Sequence, residues 1–232
     1  MAAVFFVIWL CLFISKKNTR KEMLIMSLIF SIVGPLADIL YTQDWWSPST
    51  LTESPIGPES LLVGFMIGGI ASVIYEDFFK KKIKIRKVNN KNETKRNLSF
   101  LFVNLLLLVI FFGTFYLLNF NSLMATILGL LASTSIIWFK RNDLIIDSIA
   151  TGILLVIVAM FVYSILSLIT PGWISEFWHF KNTPQIIIFN LPLDDLIWYF
   201  LAGMYIGPLY EFWQERKIVN DNCKNPNFKR NI

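Results

Sequence analysis

Residues 190–213 read NLPLDDLIWYFLAGMYIGPLYEFW, so that two adjacent carboxylates, Asp194 and Asp195, open an otherwise almost uncharged apolar run. An earlier stretch, PIGPESLLVGFMIGGIASVIYEDFF at 55–79, carries Glu59 in the matching place. Aligning Tyr75–Glu76 with Tyr210–Glu211 sets Glu59 opposite Asp194, Phe65 opposite Phe200 and Gly68 opposite Gly203. Carboxyl groups crowded together in an apolar setting can share a proton, because burial and a neighbouring like charge both favour the neutral acid. That is the equipment of general acid/base chemistry. The plain structural alternative is capping: a carboxylate at a helix N-terminus is favoured by the helix dipole and the free backbone N–H groups. Pro192 also suits a helix start. Recurrence in both stretches favours the chemical reading, since acids at membrane depth are costly and face a cavity or a partner.

The elements that must position these acids follow from hydropathy. The 232 residues are 55% apolar and 16% aromatic, with 21 Phe and 8 Trp; mean hydropathy is +0.58. A soluble domain carries more charge and fewer aromatics. Apolar stretches at 2–15, 22–42, 58–79, 98–118, 121–139, 143–169 and 190–213 predict an all-α polytopic membrane bundle of about seven transmembrane helices. The first is short, but its positive charges follow the apolar run, unlike those of a signal peptide.

The net charge of +5 is unevenly spread. Lys16, Lys17, Arg20 and Lys21 follow the first span, nine Lys or Arg lie between Lys80 and Arg96, Lys140 and Arg141 follow the fifth, and a basic tail follows the seventh. The alternate loops, 43–57 and 170–189, hold only Lys181 as a strong base. The positive-inside rule therefore predicts a multi-pass inner-membrane protein with its N-terminus outside and its C-terminus in the cytoplasm. The basic stretch KKKIKIRKVNNKNETKR is read as a topology-setting loop that touches anionic lipid, not as a nucleic-acid site. Cys11 in a span and Cys223 in the tail are not placed to pair, and no cysteine metal spacing occurs. The sequons at Asn92 and Asn97 fall on the expected cytoplasmic side. No metal site and no cofactor are expected.

The two acid-bearing stretches belong to a wider duplication. RKEMLIMSLIF at 20–30 matches RNDLIIDSIAT at 141–151, and each acid motif is preceded by a Trp-bearing outer loop, with Trp45 and Trp46 in one and Trp173 and Trp178 in the other. The expected organisation is one membrane domain, 1–213, with repeat one at 1–79, a linking loop and helix at 80–118, and repeat two at 121–213. A basic tail without fixed structure, 214–232, follows. Equivalent spans are four apart, so the repeats are parallel and related by a pseudo-two-fold axis along the membrane normal. Glu59 and the Asp194/Asp195 pair then face one another across a central cavity.

LPLDDLIWYF resembles the Pro-x-Glu-Glu-x-x-Phe-Phe signature of the heterodimeric-type lycopene β-cyclases, small membrane enzymes of carotenoid biosynthesis built from two similar subunits or two fused halves. The duplicated plan resembles the fused form and covers the chain apart from its tail. IGPESLLVGF is the looser match, with Ser60 where a second acid is expected, and in the second half aspartates replace both glutamates. The resemblance implies an isomerase: a proton adds to the terminal double bond of a linear carotenoid or related isoprenoid, a nearby double bond attacks the cation, and a ring proton is lost. It implies Asp194, Asp195 and Glu59 as acid/base residues, without deciding which is the acid. It further implies Trp198, on the same helix face as Asp194, as the leading cation stabiliser, with Phe65 and Phe200 lining the substrate. Expected partners are membrane lipid and the isoprenoid; no nucleic acid is expected, and a homo-oligomer stays open.

Glu76 and Glu211 recur as YE at the cytoplasmic ends of spans three and seven, where pairing with Arg20 and Arg141 is expected. Gly68, Gly69, Gly203 and Gly207 read as close-approach positions. Rival readings are a UbiA-type prenyltransferase, a distantly related membrane bundle for which Asp143 and Asp147 at i, i+4 could face one ion, and a small transporter or lipid-binding scaffold. A hydrolase is disfavoured: the one histidine, His179, lies in an outer loop without a nucleophile motif. A flavin-dependent enzyme lacks its glycine fingerprint.

Overall fold

The computed structural model describes residues 1–15, 17–48, 50, 52, 54, 56–85, 93–179 and 185–220. Lys181, Asn92, Cys223, residues 86–92 of the basic stretch and the tail beyond 220 lie outside these described residues.

The fold is an all-α bundle. Its helices are α1 (Ala2–Ser15), α2 (Arg20–Asp44), α3 (Pro58–Phe78), α4 (Glu93–Leu118), α5 (Ser122–Lys140), α6 (Ile145–Ile169), the one-turn α7 (Trp173–Phe177), α8 (Leu193–Ile206) and α9 (Leu209–Gln214). The segments of α2 to α6 are long and apolar enough to cross a membrane, and α1 is a shorter apolar helix. The outward faces of α4 and α6 present Leu101, Leu105, Val109, Ile153, Ile157 and Phe161 to the surroundings. Faces so apolar need lipid around them, and the chain is a membrane protein.

Local signals explain the boundaries. Gly57 and Pro58 open α3, Pro58 supplying a residue whose missing N–H costs nothing in a first turn. The Asn121 side chain accepts from the Met124 N–H at 2.7 Å and caps α5. Asp44 then ties the end of α2 to that start, accepting from the Ser122 N–H at 2.9 Å and its Oγ at 2.5 Å. The seventh expected span is in two pieces. Pro208 carries no N–H, and the chain restarts after it as α9.

The closest helix pairs are α2 with α3 and α6 with α8, with α4 against α5 and α1 against α3. Between α2 and α3, Gly34 and Gly64 meet backbone to backbone, and a Cβ on either would run into the other helix's main chain. Phe5, Met23, Met26, Ile70 and Leu155 are completely enclosed in the core between the helices.

Two short strand pairs were not foreseen. β1 (Lys81–Ile85) pairs antiparallel with β4 (Arg216–Asn220), Ile83 opposite Ile218. Residues 216–220, expected in a structureless tail, thus form a ribbon with the loop after α3. β2 (Ile187–Ile188) and β3 (Leu191–Pro192) form a tight hairpin leading into α8, with Phe189 and Asn190 at positive φ in its turn. Across from the ribbon, the loop after α2 bonds to the segment after α7: Trp46 and Trp178 form a β-bridge, Ser47 N–H donates to the Phe177 carbonyl, and His179 N–H donates to that of Trp45.

Candidate functional site

A cavity of about 590 Å³ lies inside the bundle beneath that Trp-rich strap. Its wall is largely apolar and aromatic, with Trp45, Trp46, Trp173 and Trp178 from the strap region. Into it come three carboxyl-bearing residues, Asp38 from α2, Glu59 from the first turn of α3 and Asp195 from the first turn of α8. Trp198, Tyr199, Tyr41 and Tyr163 line it as well.

Asp195 is buried, and the Tyr163 hydroxyl donates to its Oδ2 at 2.8 Å. The bond joins α6 to α8, and the Trp178 indole from the strap also lies beside the same carboxyl group. Asp194 is also buried but is not part of the cavity wall. Its Oδ2 accepts from the Trp45 Nε1–H at 2.9 Å, tying the start of α8 to the end of α2. The adjacent acids therefore do different jobs: a one-residue step along a helix turns a side chain by about 100°. Glu59 is half-buried. Its Oε2 lies against Gly57, where it folds back over its own helix start.

Trp198 is half-buried and donates from Nε1 to the Tyr41 hydroxyl at 2.9 Å. Tyr41 in turn contacts the Thr126 hydroxyl at 2.9 Å, so α2, α5 and α8 are joined at the cavity. Phe65 and Phe200 are not part of the cavity wall. Phe65 packs on Trp9 with ring centres 5.1 Å apart, and Phe200 lies over Gly152 of α6. The structure thus brings Asp195, Glu59 and Trp198 to one cavity, sets Asp194 behind it, and holds Phe65 and Phe200 elsewhere in the packing.

Replacing Trp45 with Phe removes the indole donor but keeps most of the ring. Loss of a donor to a buried carboxylate should destabilise the protein by about 1–3 kcal/mol. A lowered thermal midpoint of the detergent-solubilised protein, with the fold retained, is the expected result.

Asp38 was not singled out from sequence. It is 6% exposed and accepts from the Ser60 hydroxyl. Its sequence signal was a lone acid inside an apolar span, which is a functional pointer in its own right. His179, exposed, contacts the Ser47 hydroxyl in the strap. Cys11 is exposed on α1.

At the opposite end of the bundle, Glu76, Asp147 and Glu211 are buried with carboxylate oxygens all within 4.8 Å of one another. Among the described residues these could share a cation. Arg141 donates to the Glu211 carbonyl at 3.2 Å and grips Asp143 at 2.7 and 2.8 Å. Arg20 donates to the carbonyls of Phe13 and Ile14. Asp143 and Asp147 therefore have separate surroundings, one in the Arg141 fork and the other in the acidic cluster. Asn97 accepts from the Trp213 indole at 2.9 Å.

The family model of lycopene cyclase matches residues 121–213, from the start of α5 to within α9. That stretch is similar to the lycopene cyclase family. The match takes in both second-half acids and Trp198, and its helices α5, α6 and α8 pack together around them. No curated protein and no solved structure matches the chain.

Proposed function

We propose that the protein is a membrane isomerase of the lycopene cyclase type, which closes a ring at the end of a linear carotenoid or related isoprenoid without net redox change. The observation that carries this reading is the cavity: about 590 Å³ of largely apolar, aromatic-walled space with carboxyl groups reaching into it. Its volume falls within the roughly 300–1,000 Å³ typical of small-molecule sites, and suits an end group with the adjoining chain.

In this reading Asp195 is the proton donor, because it is buried and lines the apolar, aromatic-walled cavity. Its proton adds to the terminal double bond, and a tertiary cation forms. The next double bond within reach supplies the electron pair that closes the ring. Trp198, Tyr41 and Tyr199 offer aromatic faces to the cation, each worth up to about 2 kcal/mol when desolvated. Dry walls protect it from capture by water. Asp194 positions the start of α8 through Trp45, and Glu59 adds a further carboxyl group on the α3 side.

The duplicated plan is part of the proposal. Gly68 lies against Phe30 and Gly203 against Thr151, and the alignment of 20–30 with 141–151 pairs Phe30 with Thr151. Equivalent glycines thus pack on equivalent positions, which supports two parallel repeats joined by α4. The ribbon end, with Lys81, Lys140 and Arg141, is assigned to the cytoplasmic side of the inner membrane by the charge rule, with the N-terminus outside.

The test is expression in a bacterium that accumulates lycopene, with the pigments separated by chromatography. Singly and doubly cyclised carotenes are the expected products. Unchanged lycopene from well-inserted protein would remove lycopene as the substrate.

A further inference from the structure

We infer that Asp38 is the second acid/base carboxylate of the cavity, and that it takes up the proton lost when the ring forms. The inference rests on the cyclase reading above and extends it to a residue outside the family match, on α2.

Aligning the two acid motifs sets Ser60 opposite Asp195, so the first half lacks an acid where the second half has one. The Ser60 hydroxyl donates to Asp38 Oδ2. A carboxylate is therefore one hydrogen bond from the vacated place, delivered by α2 instead of α3. The two halves use the same parts with donor and acceptor exchanged. In one, a hydroxyl on α3 donates to an acid on α2; in the other, the Tyr163 hydroxyl on α6 donates to Asp195 on α8.

Neither solvation nor capping accounts for Asp38. It is 6% exposed within an apolar 25-residue helix. It also lies inside that helix, more than a turn short of Asp44, so it caps neither end. It does line the cavity, together with Asp195 and Glu59. Its polar neighbours, the Ser60 hydroxyl and the Trp46 indole, belong to the same cavity wall.

The proton steps balance. The Asp195 O–H bond breaks and a C–H bond forms at the terminal alkene carbon. The internal double bond then forms the new ring C–C bond. A ring C–H bond breaks, its electron pair becomes the ring double bond, and the proton goes to the Asp38 carboxylate. Once the product leaves, Asp38 returns a proton to water and Asp195 takes one up.

The experiment compares wild type, Asp38→Asn and the exchange variant Asp38→Ser/Ser60→Asp in lycopene-loaded membranes, with the amount of inserted protein matched. Asparagine can still accept the Ser60 bond but takes up no proton at neutral pH. Its ring-forming rate should fall by about 10²–10⁴-fold, and the residual product should shift toward rings with a displaced double bond or a captured hydroxyl. The exchange variant returns the acid to α3 and should recover both rate and product. A purely structural Asp38 would leave the product distribution unchanged. Wild-type rate and product from Asp38→Asn would overturn this inference while leaving the cyclase reading standing. Absence of cyclised product from wild type would remove lycopene as the substrate and overturn the Asp38 step on it.

Discussion

Asp195→Asn should abolish ring closure while the bundle stays folded. Asparagine matches aspartate in size and accepts the Tyr163 hydrogen bond through its carbonyl oxygen, so the α6–α8 contact survives. It has no proton to give to an alkene. Loss of a general acid typically lowers a rate by about 10²–10⁴-fold, and no other group on the α8 side of the wall replaces it, since Asp194 points to Trp45. The same change at Asp194 should cost less activity, and through position instead of proton transfer. The check is initial rate per inserted protein for both variants with lycopene. Equal losses at the two positions would mean that the two acids act as one pair.

Gly203→Val should prevent the bundle from assembling. A Cβ at Gly203 would lie 2.7 Å from the Gly152 Cα and 2.9 Å from the Thr151 carbonyl oxygen. Both are backbone atoms of α6 and cannot rotate away. Overpacking of this kind costs about 1–3 kcal/mol or more, and here it falls on the helix that carries both second-half acids. Valine should yield little monodisperse protein from detergent, with the residual material melting well below wild type. Valine at Gly113, where an added Cβ meets nothing within 4 Å, should behave as wild type.

Most of the fold was legible in the sequence because lipid leaves a coarse signature. Spans expected at 2–15, 58–79 and 121–139 correspond to α1, α3 and α5 within a residue. The boundaries come from single residues such as Pro58 and Asn121 acting locally. The break at Gly207–Pro208 was in plain view, but a hydropathy window averages across a proline. The ribbon was harder. KKIKI at 81–85 alternates as a strand does, yet its run of lysines reads equally as a polar loop, and its partner is over a hundred residues away.

The site was half legible for a similar reason. Glu59 stood out because it repeats Asp194, and Asp195 as the second acid of that motif; Glu59 and Asp195 both reach the cavity. Asp38 carried no motif. Its meaning lies in Ser60, 22 residues away, and in the approach of α2 to α3 through Gly34 and Gly64. The aromatic assignments divided on side-chain direction: Trp198 reaches the cavity, whereas Phe65 and Phe200 turn toward Trp9 and Gly152. Repeat alignment fixes position along a helix, and the neighbours decide which face holds a ring. Likewise Glu76 and Glu211, expected beside Arg20 and Arg141, converge with Asp147, a meeting that depends on how α3, α6 and α9 cross.

The central claim is that ring closure begins with a proton from the protein. Its most direct test is to supply lycopene to the purified protein in liposomes prepared in heavy water and to weigh the product by mass spectrometry. A proton-initiated reaction adds one deuterium from the exchanged carboxylic acid for each ring formed. Product carrying one deuterium in place of one hydrogen per ring in the wild type, and no product with Asp195→Asn, is the predicted result. Cyclised product of unshifted mass, or product from Asp195→Asn at the wild-type rate, would contradict it.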